Sequence, residues 1–206
     1  MMESTMKGPG DSGFSRREFL RGSGAVAAAS AIHSQVAAAD KEGPAAGPAV
    51  IRGATTITLQ VNGESRKVTV EPRTTLLEVL RTQLDLTGAK PISADGSSGG
   101  STVMVDGKPM AASTLLAVAV VGKQIRTVES LGGAQPDAVV KAFVEHDALQ
   151  CGFCTPGFVM AVRAFLDKHP QATEADIRGG LNGNLCRCGT YANIIQAAIA
   201  VVKGGK

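Results

Sequence analysis

The chain has 206 residues, 44% of them apolar and 19% charged, and a net charge of +3. That balance belongs to a globular protein of one medium or two small domains. With no Trp, one Tyr and six Phe, and no run of five like charges, the sequence carries neither a base-stacking platform nor an electrostatic footprint for nucleic acid or an anionic membrane.

The chain opens with a targeting pattern. Ser15-Arg16-Arg17-Glu18-Phe19-Leu20-Arg21 precedes the weakly apolar stretch GSGAVAAASAI, and the small residues Ala37-Ala38-Ala39 follow before Asp40. Arginines, apolar stretch and small-residue cleavage site in this order resemble a twin-arginine export signal over residues 1–39. The resemblance implies export to the periplasm in an already folded state, with any cofactor acquired beforehand. No other segment approaches the ~18 apolar residues of a membrane span, so no span is expected in the mature chain. Residues 40–53, DKEGPAAGPAVIRG, lack periodicity and read as a linker.

From residue 54 the pattern is that of strands. ITLQVNGESRKVTV alternates apolar and polar residues around Asn62-Gly63, which predicts a tight hairpin. Thr75-Leu76-Leu77-Glu78 reads as a capping box opening a helix over TLLEVLRTQL. STVMVDGKPM predicts a second hairpin at Asp106-Gly107, and GKQIRTVE a last strand. Beyond residue 129 the period becomes helical: DAVVKAFVEHDAL after Pro136, a segment after Thr155-Pro156 with Thr155 as cap, EADIRGGL capped by Thr173, and Ala192 to Lys203 with Ile194, Ile195, Ala198, Ile199 and Val202 on one stripe. The fold class is α+β, a mixed unit over 54–128 followed by a helical unit over 129–206.

All four cysteines lie in the helical unit, as Cys151-Gly152-Phe153-Cys154 and Cys186-Arg187-Cys188. Two disulfides, a structural zinc or a 2Fe–2S cluster would each use four sulfurs. A Cys-x-Cys pair is a poor local disulfide, and zinc more often takes two Cys-x2-Cys elbows. Spacing leaves zinc and iron–sulfur open.

The neighbouring residues carry more. The segment Gln150-Cys151-Gly152-Phe153-Cys154-Thr155-Pro156-Gly157, with Gly183-Asn184-Leu185-Cys186-Arg187-Cys188-Gly189-Thr190-Tyr191, closely resembles the two signature segments of the small iron–sulfur subunit of molybdenum hydroxylases, the xanthine dehydrogenase and aldehyde oxidoreductase family. The resemblance runs from about Thr56 to Lys203. It implies a β-grasp ferredoxin-like domain, then a four-helix domain whose Cys151, Cys154, Cys186 and Cys188 ligate a 2Fe–2S cluster. It further implies a molybdopterin cofactor on a large partner subunit, with Gln150 and Cys188 at the pterin edge, and onward transfer to a flavin or cytochrome c subunit. Asn184 and Arg187 are either structural or part of the hydrogen-bond shell around the sulfurs. His146 and His169 read as helix-surface residues.

The same resemblance makes the first unit unusual. Its members carry a second, plant-type cluster on four cysteines, and at those positions this chain has Ser93, Ser98, Ser101 and Ser113, with Gly96 and Gly99 kept but Pro91 and Ile92 departing from the pattern. A hydroxyl does not ionise as a thiol does, so one cluster is expected rather than two, and the Gly-rich loop is expected to be mobile. The chain then reads as an electron-transfer subunit with a single cluster. The alternatives are a non-redox structural or assembly partner of such a complex, and a zinc- or disulfide-stapled binding module. Substrate contacts would lie on the large subunit.

Overall fold

The computed structural model describes residues 50–204; the signal predicted over 1–39 and linker residues 40–49 lie outside the described residues. Five strands form one mixed sheet: β1 (Thr55–Val61), β2 (Glu64–Val70), β3 (Thr102–Val105), β4 (Lys108–Ala111) and β5 (Gln124–Arg126), in the order β2-β1-β5-β3-β4. β1 pairs parallel with β5; the other pairings are antiparallel. Both predicted hairpins are present. Asn62 and Gly63 have φ of 54° and 84°, and Asp106 and Gly107 have 50° and 75°. This is the left-handed conformation at both turn positions that Asn-Gly and Asp-Gly favour, and its twist matches the flanking strands.

Among the described residues, five α-helices accompany the sheet: α1 (Leu76–Thr82), α2 (Ala138–Glu145), α3 (Thr155–Lys168), α4 (Glu174–Gly180) and α5 (Tyr191–Gly204). The short 3₁₀ turns Ala117–Val120 and Val128–Leu131 carry no signal in the sequence pattern. α1 closes one face of the sheet. Leu76, Val79 and Leu80 pack with Leu59, Val61, Val103, Val105 and Ile125 in one buried cluster. A second cluster gathers Phe143, Phe158, Met160, Leu166, Ile177, Ile194 and Ala198 from α2 to α5.

β3 joins the two clusters. All four of its residues are buried, and side chains alternate across a strand. Val103 and Val105 therefore enter the sheet core, while Met104 enters the helical core. Contact between the halves is close where glycines permit it: a Cβ on Gly157 of α3 would lie 2.3 Å from the Gly99 carbonyl oxygen.

Two cap assignments need correction. Thr75 does accept from the Glu78 N–H, but the Glu78 carboxylate does not return the bond, so α1 has half of the capping box. Thr155 does not cap α3; it is the first helical residue, and Cys154 occupies the cap position without any side-chain cap bond. The complete capping box is at α4, where Thr173 and Asp176 exchange both bonds.

Candidate iron–sulfur centre

The four cysteines lie on the connections that lead into α3 and α5. Cys151 to Cys154 turn from α2 into α3 through Gly152 at φ 80°, and Cys186 to Cys188 turn from α4 towards α5, followed by Gly189 at φ 82°. Cys154 at the start of α3 meets the end of the helix whose unpaired N–H groups favour negative charge.

The sulfurs meet two by two. The Cys151 thiol interacts with that of Cys188, and the Cys154 thiol with that of Cys186. The Cys154–Cys186 pair is buried and the Cys151–Cys188 pair is exposed, and all four thiols are free. A lone tetrahedral zinc needs all four ligands around one ion, whereas a binuclear 2Fe–2S unit takes two ligands at each iron. Two facing pairs fit the second.

The environments of the thiols differ. Burial pushes Cys154 up to about 12, aided by the neighbouring Cys186. Burial also acts to raise Cys186, but the Thr190 hydroxyl and N–H, the Cys154 thiol and the Gly189 N–H together outweigh it and bring Cys186 to about 7. The Phe153 N–H, with Cys188, lowers Cys151. At Cys188 the Cys151 N–H pulls the thiol down, but the Cys151 side chain and partial desolvation win, and the net direction is up.

A cavity of about 430 Å3 opens beside these sulfurs, lined by Cys151, Cys154, Cys186, Phe153, Leu185 and Tyr191, with Ile92 and Ser98 contributed by the serine loop. Phe153 and Leu185 are 51% and 54% exposed, so the rim is apolar. Two hydroxyls here behave unusually. Thr155 Oγ1, next in sequence to Cys154, is buried without a hydrogen-bond partner. Thr190 Oγ1 lies 3.2 Å from Cys186 Sγ. Tyr191 adds support by accepting the Cys186 N–H at its hydroxyl, 2.7 Å away, while its ring meets Phe158 edge-on. Sequence reasoning missed Thr190 as a site residue because it sits at a helix start, where threonine is ordinarily a cap.

The serine loop is closed on itself by hydroxyl pairs. Ser93 Oγ and Ser98 Oγ are 2.8 Å apart, and Ser101 Oγ and Ser113 Oγ are 2.9 Å apart. Backbone N–H groups of Ser98 and Ser113 donate to Ser93 and Ser101. The loop also docks on the cysteine segment, where the Leu185 N–H donates to the Ser98 carbonyl at 3.0 Å.

Asn184 is structural: it is buried and donates to the Gly99 carbonyl rather than to a sulfur. Arg187 is exposed on the cavity rim, and Gln150 is exposed beside Cys151. His146 forms the C-cap of α2, and His169 lies against Phe165 at the surface; neither approaches the sulfurs as a ligand would.

The helical half, residues 127–199, matches the model of the [2Fe-2S] binding domain. Residues 13–33 match the twin-arginine translocation pathway signal sequence. The chain is 38% identical over 209 residues to the aldehyde oxidoreductase iron-sulfur-binding subunit PaoA of Escherichia coli K12, covering 92% of this chain and 88% of that protein. The chain belongs to the iron–sulfur subunits of the molybdenum hydroxylases. Other members include the nicotine 6-hydroxylase small subunit of Paenarthrobacter nicotinovorans, 40% identical over 69% of this chain and 87% of that protein. Among solved structures, quinoline 2-oxidoreductase of Pseudomonas putida 86 superposes with a TM-score of 0.69 at 39% identity, over 73% of this chain and 98% of that one. As a member of this family, the chain is a non-catalytic, electron-transfer subunit of an oxidoreductase.

Proposed function

We propose that this chain acts in the periplasm as the small subunit of a molybdenum hydroxylase, with one 2Fe–2S cluster on Cys151, Cys154, Cys186 and Cys188 and none on the serine loop. The observation that carries this reading is the pairing: thiols meet as 151 with 188 and 154 with 186, while serines occupy the other four positions as hydroxyl pairs. When bound, the cluster is a one-electron carrier.

The chain's own residues divide the work. Cys154 and Cys186 hold the buried side of the centre, where Phe158 and Tyr191 pack edge to face. Cys151 and Cys188 face outward, next to the apolar rim of Phe153 and Leu185. That rim fits a molybdopterin-binding large subunit, with Gln150 and Cys188 at the pterin edge. A flavin or cytochrome c subunit would accept the electrons onward.

In this reading residues 54–128 are a β-grasp domain that has lost its ligands; the parallel pairing of β1 with β5 across an otherwise antiparallel sheet supports it. Residues 129–206 are the four-helix cluster domain. Residues 1–39 are removed on export, and 40–53 form a linker. Similarity to PaoA over 92% of the chain makes an aldehyde the first substrate to try.

The test is anaerobic addition of an aldehyde to the complex purified with its large subunit. The iron–sulfur absorbance should bleach as electrons arrive. A complex that oxidises the aldehyde with an artificial acceptor while this absorbance stays fully oxidised would make the chain a structural partner instead.

A further inference from the structure

Three helices of this protein start with a side chain that caps the backbone. Thr75 accepts from the Glu78 N–H, Asp137 from the Val139 N–H and Thr173 from the Asp176 N–H. Thr190 stands in the same relation to α5, since its carbonyl accepts the Ile194 N–H. Its hydroxyl, however, is spent on Cys186 Sγ at 3.2 Å. A cap bond stabilises a helix start, and here the threonine hydroxyl is turned to a sulfur instead. The neighbouring Tyr191 hydroxyl accepts the Cys186 N–H, so of these two hydroxyls it is that of Thr190 that meets the sulfur.

We propose that Thr190 is a positioning residue for the centre, donating a hydrogen bond to the Cys186 sulfur and thereby raising the reduction potential of the cluster. The inference rests on the reading of Cys186 as an iron ligand. A thiolate has no proton to give, so in the loaded protein the hydroxyl must be the donor. Reduction adds negative charge that spreads onto the sulfurs, and a donor there favours the reduced state; hydrogen bonds to the sulfurs are among the levers that set such potentials.

The experiment compares Thr190→Val, Thr190→Ala and Thr190→Ser with the unaltered chain in the intact complex, by potentiometric titration followed by electron paramagnetic resonance. Val and Ala should both be harder to reduce, by about tenfold in equilibrium constant, or 59 mV for a one-electron couple. Ser, which keeps the hydroxyl, should stay within twofold. Potentials unchanged in Val and Ala would overturn the proposal, as would a Ser variant displaced as far as Val. Loss of iron from both Val and Ala would also overturn it, by making Thr190 a folding residue. An unaltered chain without iron and inorganic sulfide would defeat the cluster reading itself. With the unaltered chain loaded, any negative result falls on Thr190 alone.

Discussion

Asn184 Nδ2 donates to the Gly99 carbonyl at 3.0 Å across 85 residues of sequence, tying the cysteine segment to the serine loop. Thr102 Oγ1 donates to the same oxygen at 2.7 Å. The Thr102 N–H donates to it as well at 3.2 Å, so the two halves of the molecule are joined through one buried acceptor with three donors, two of them side chains. Gly99 itself can be nothing larger: its φ is 68°, and an added Cβ would lie 2.5 Å from the Gly183 carbonyl oxygen.

The shared acceptor makes the two side-chain donors non-additive. Asn184→Ala alone should cost about 1 kcal/mol, because Thr102 still satisfies the carbonyl. Thr102→Val alone should cost a similar amount. The double variant should cost more than the sum, since it leaves the buried carbonyl with only the Thr102 N–H, at 3.2 Å, in place of three donors. Chemical denaturation of the four proteins gives the coupling, and strict additivity would contradict the shared-acceptor account.

Stripping the metal should expose the sulfur pairing. In iron-free chain treated with diamide, the disulfides formed should be Cys151–Cys188 and Cys154–Cys186, following the thiol contacts. Peptide mapping without reduction reads the result. Bridges within the Cys151–Cys154 elbow or the Cys186–Cys188 pair would mean that the sulfurs are arranged differently.

Much of this arrangement is legible in the sequence, and the rest is not for identifiable reasons. Asn62-Gly63, Asp106-Gly107 and the Thr173–Asp176 box act over four residues or fewer, so local pattern suffices to find them. The cysteine segments carry their chemistry in their neighbours. By contrast, β5 is recognisable as a strand but not as the parallel partner of β1, which is a long-range choice. The turn of the Thr190 hydroxyl to Cys186 is equally invisible, because the sulfur it meets is placed by tertiary structure, and so is the burial of Thr155 Oγ1 without a partner. The serine loop reads as loose for want of a cluster. What closes it is hydroxyl pairing between positions as distant as Ser101 and Ser113.

That closure has a consequence for cluster rebuilding. The four serines already face each other as two pairs, so changing Ser93, Ser98, Ser101 and Ser113 together to Cys should permit a second 2Fe–2S unit after reconstitution. Ile92 packs directly on Gly100, with Cδ1 2.3 Å from where a Cβ would stand, and restricts the loop; adding Ile92→Gly should raise the yield. A second paramagnetic centre is the expected signal. Its absence in the variant carrying all these changes would show that more than the ligands has been lost.

The α4 capping box predicts a pH dependence. The Thr173 hydroxyl and N–H hold the Asp176 carboxyl below its ordinary 3.8. A carboxyl lowered in the folded state contributes stability that is fully present above 3.8 and is lost as pH falls through the lower folded value. The stability difference between the unaltered chain and Asp176→Asn should therefore be constant from neutral pH to about 5 and shrink below 3.8. A difference that grew on acidification would have the wrong sign.

The central claim is one cluster, held by cysteines, beside a serine loop that holds none. The most direct measurement is iron and inorganic sulfide content of the purified mature chain, together with its electron paramagnetic resonance spectrum after reduction. The account predicts two iron atoms and two sulfides per chain and a single paramagnetic centre, lost on changing Cys154 and Cys186 to Ser. Four irons with two distinct centres, or one zinc without sulfide, would contradict it.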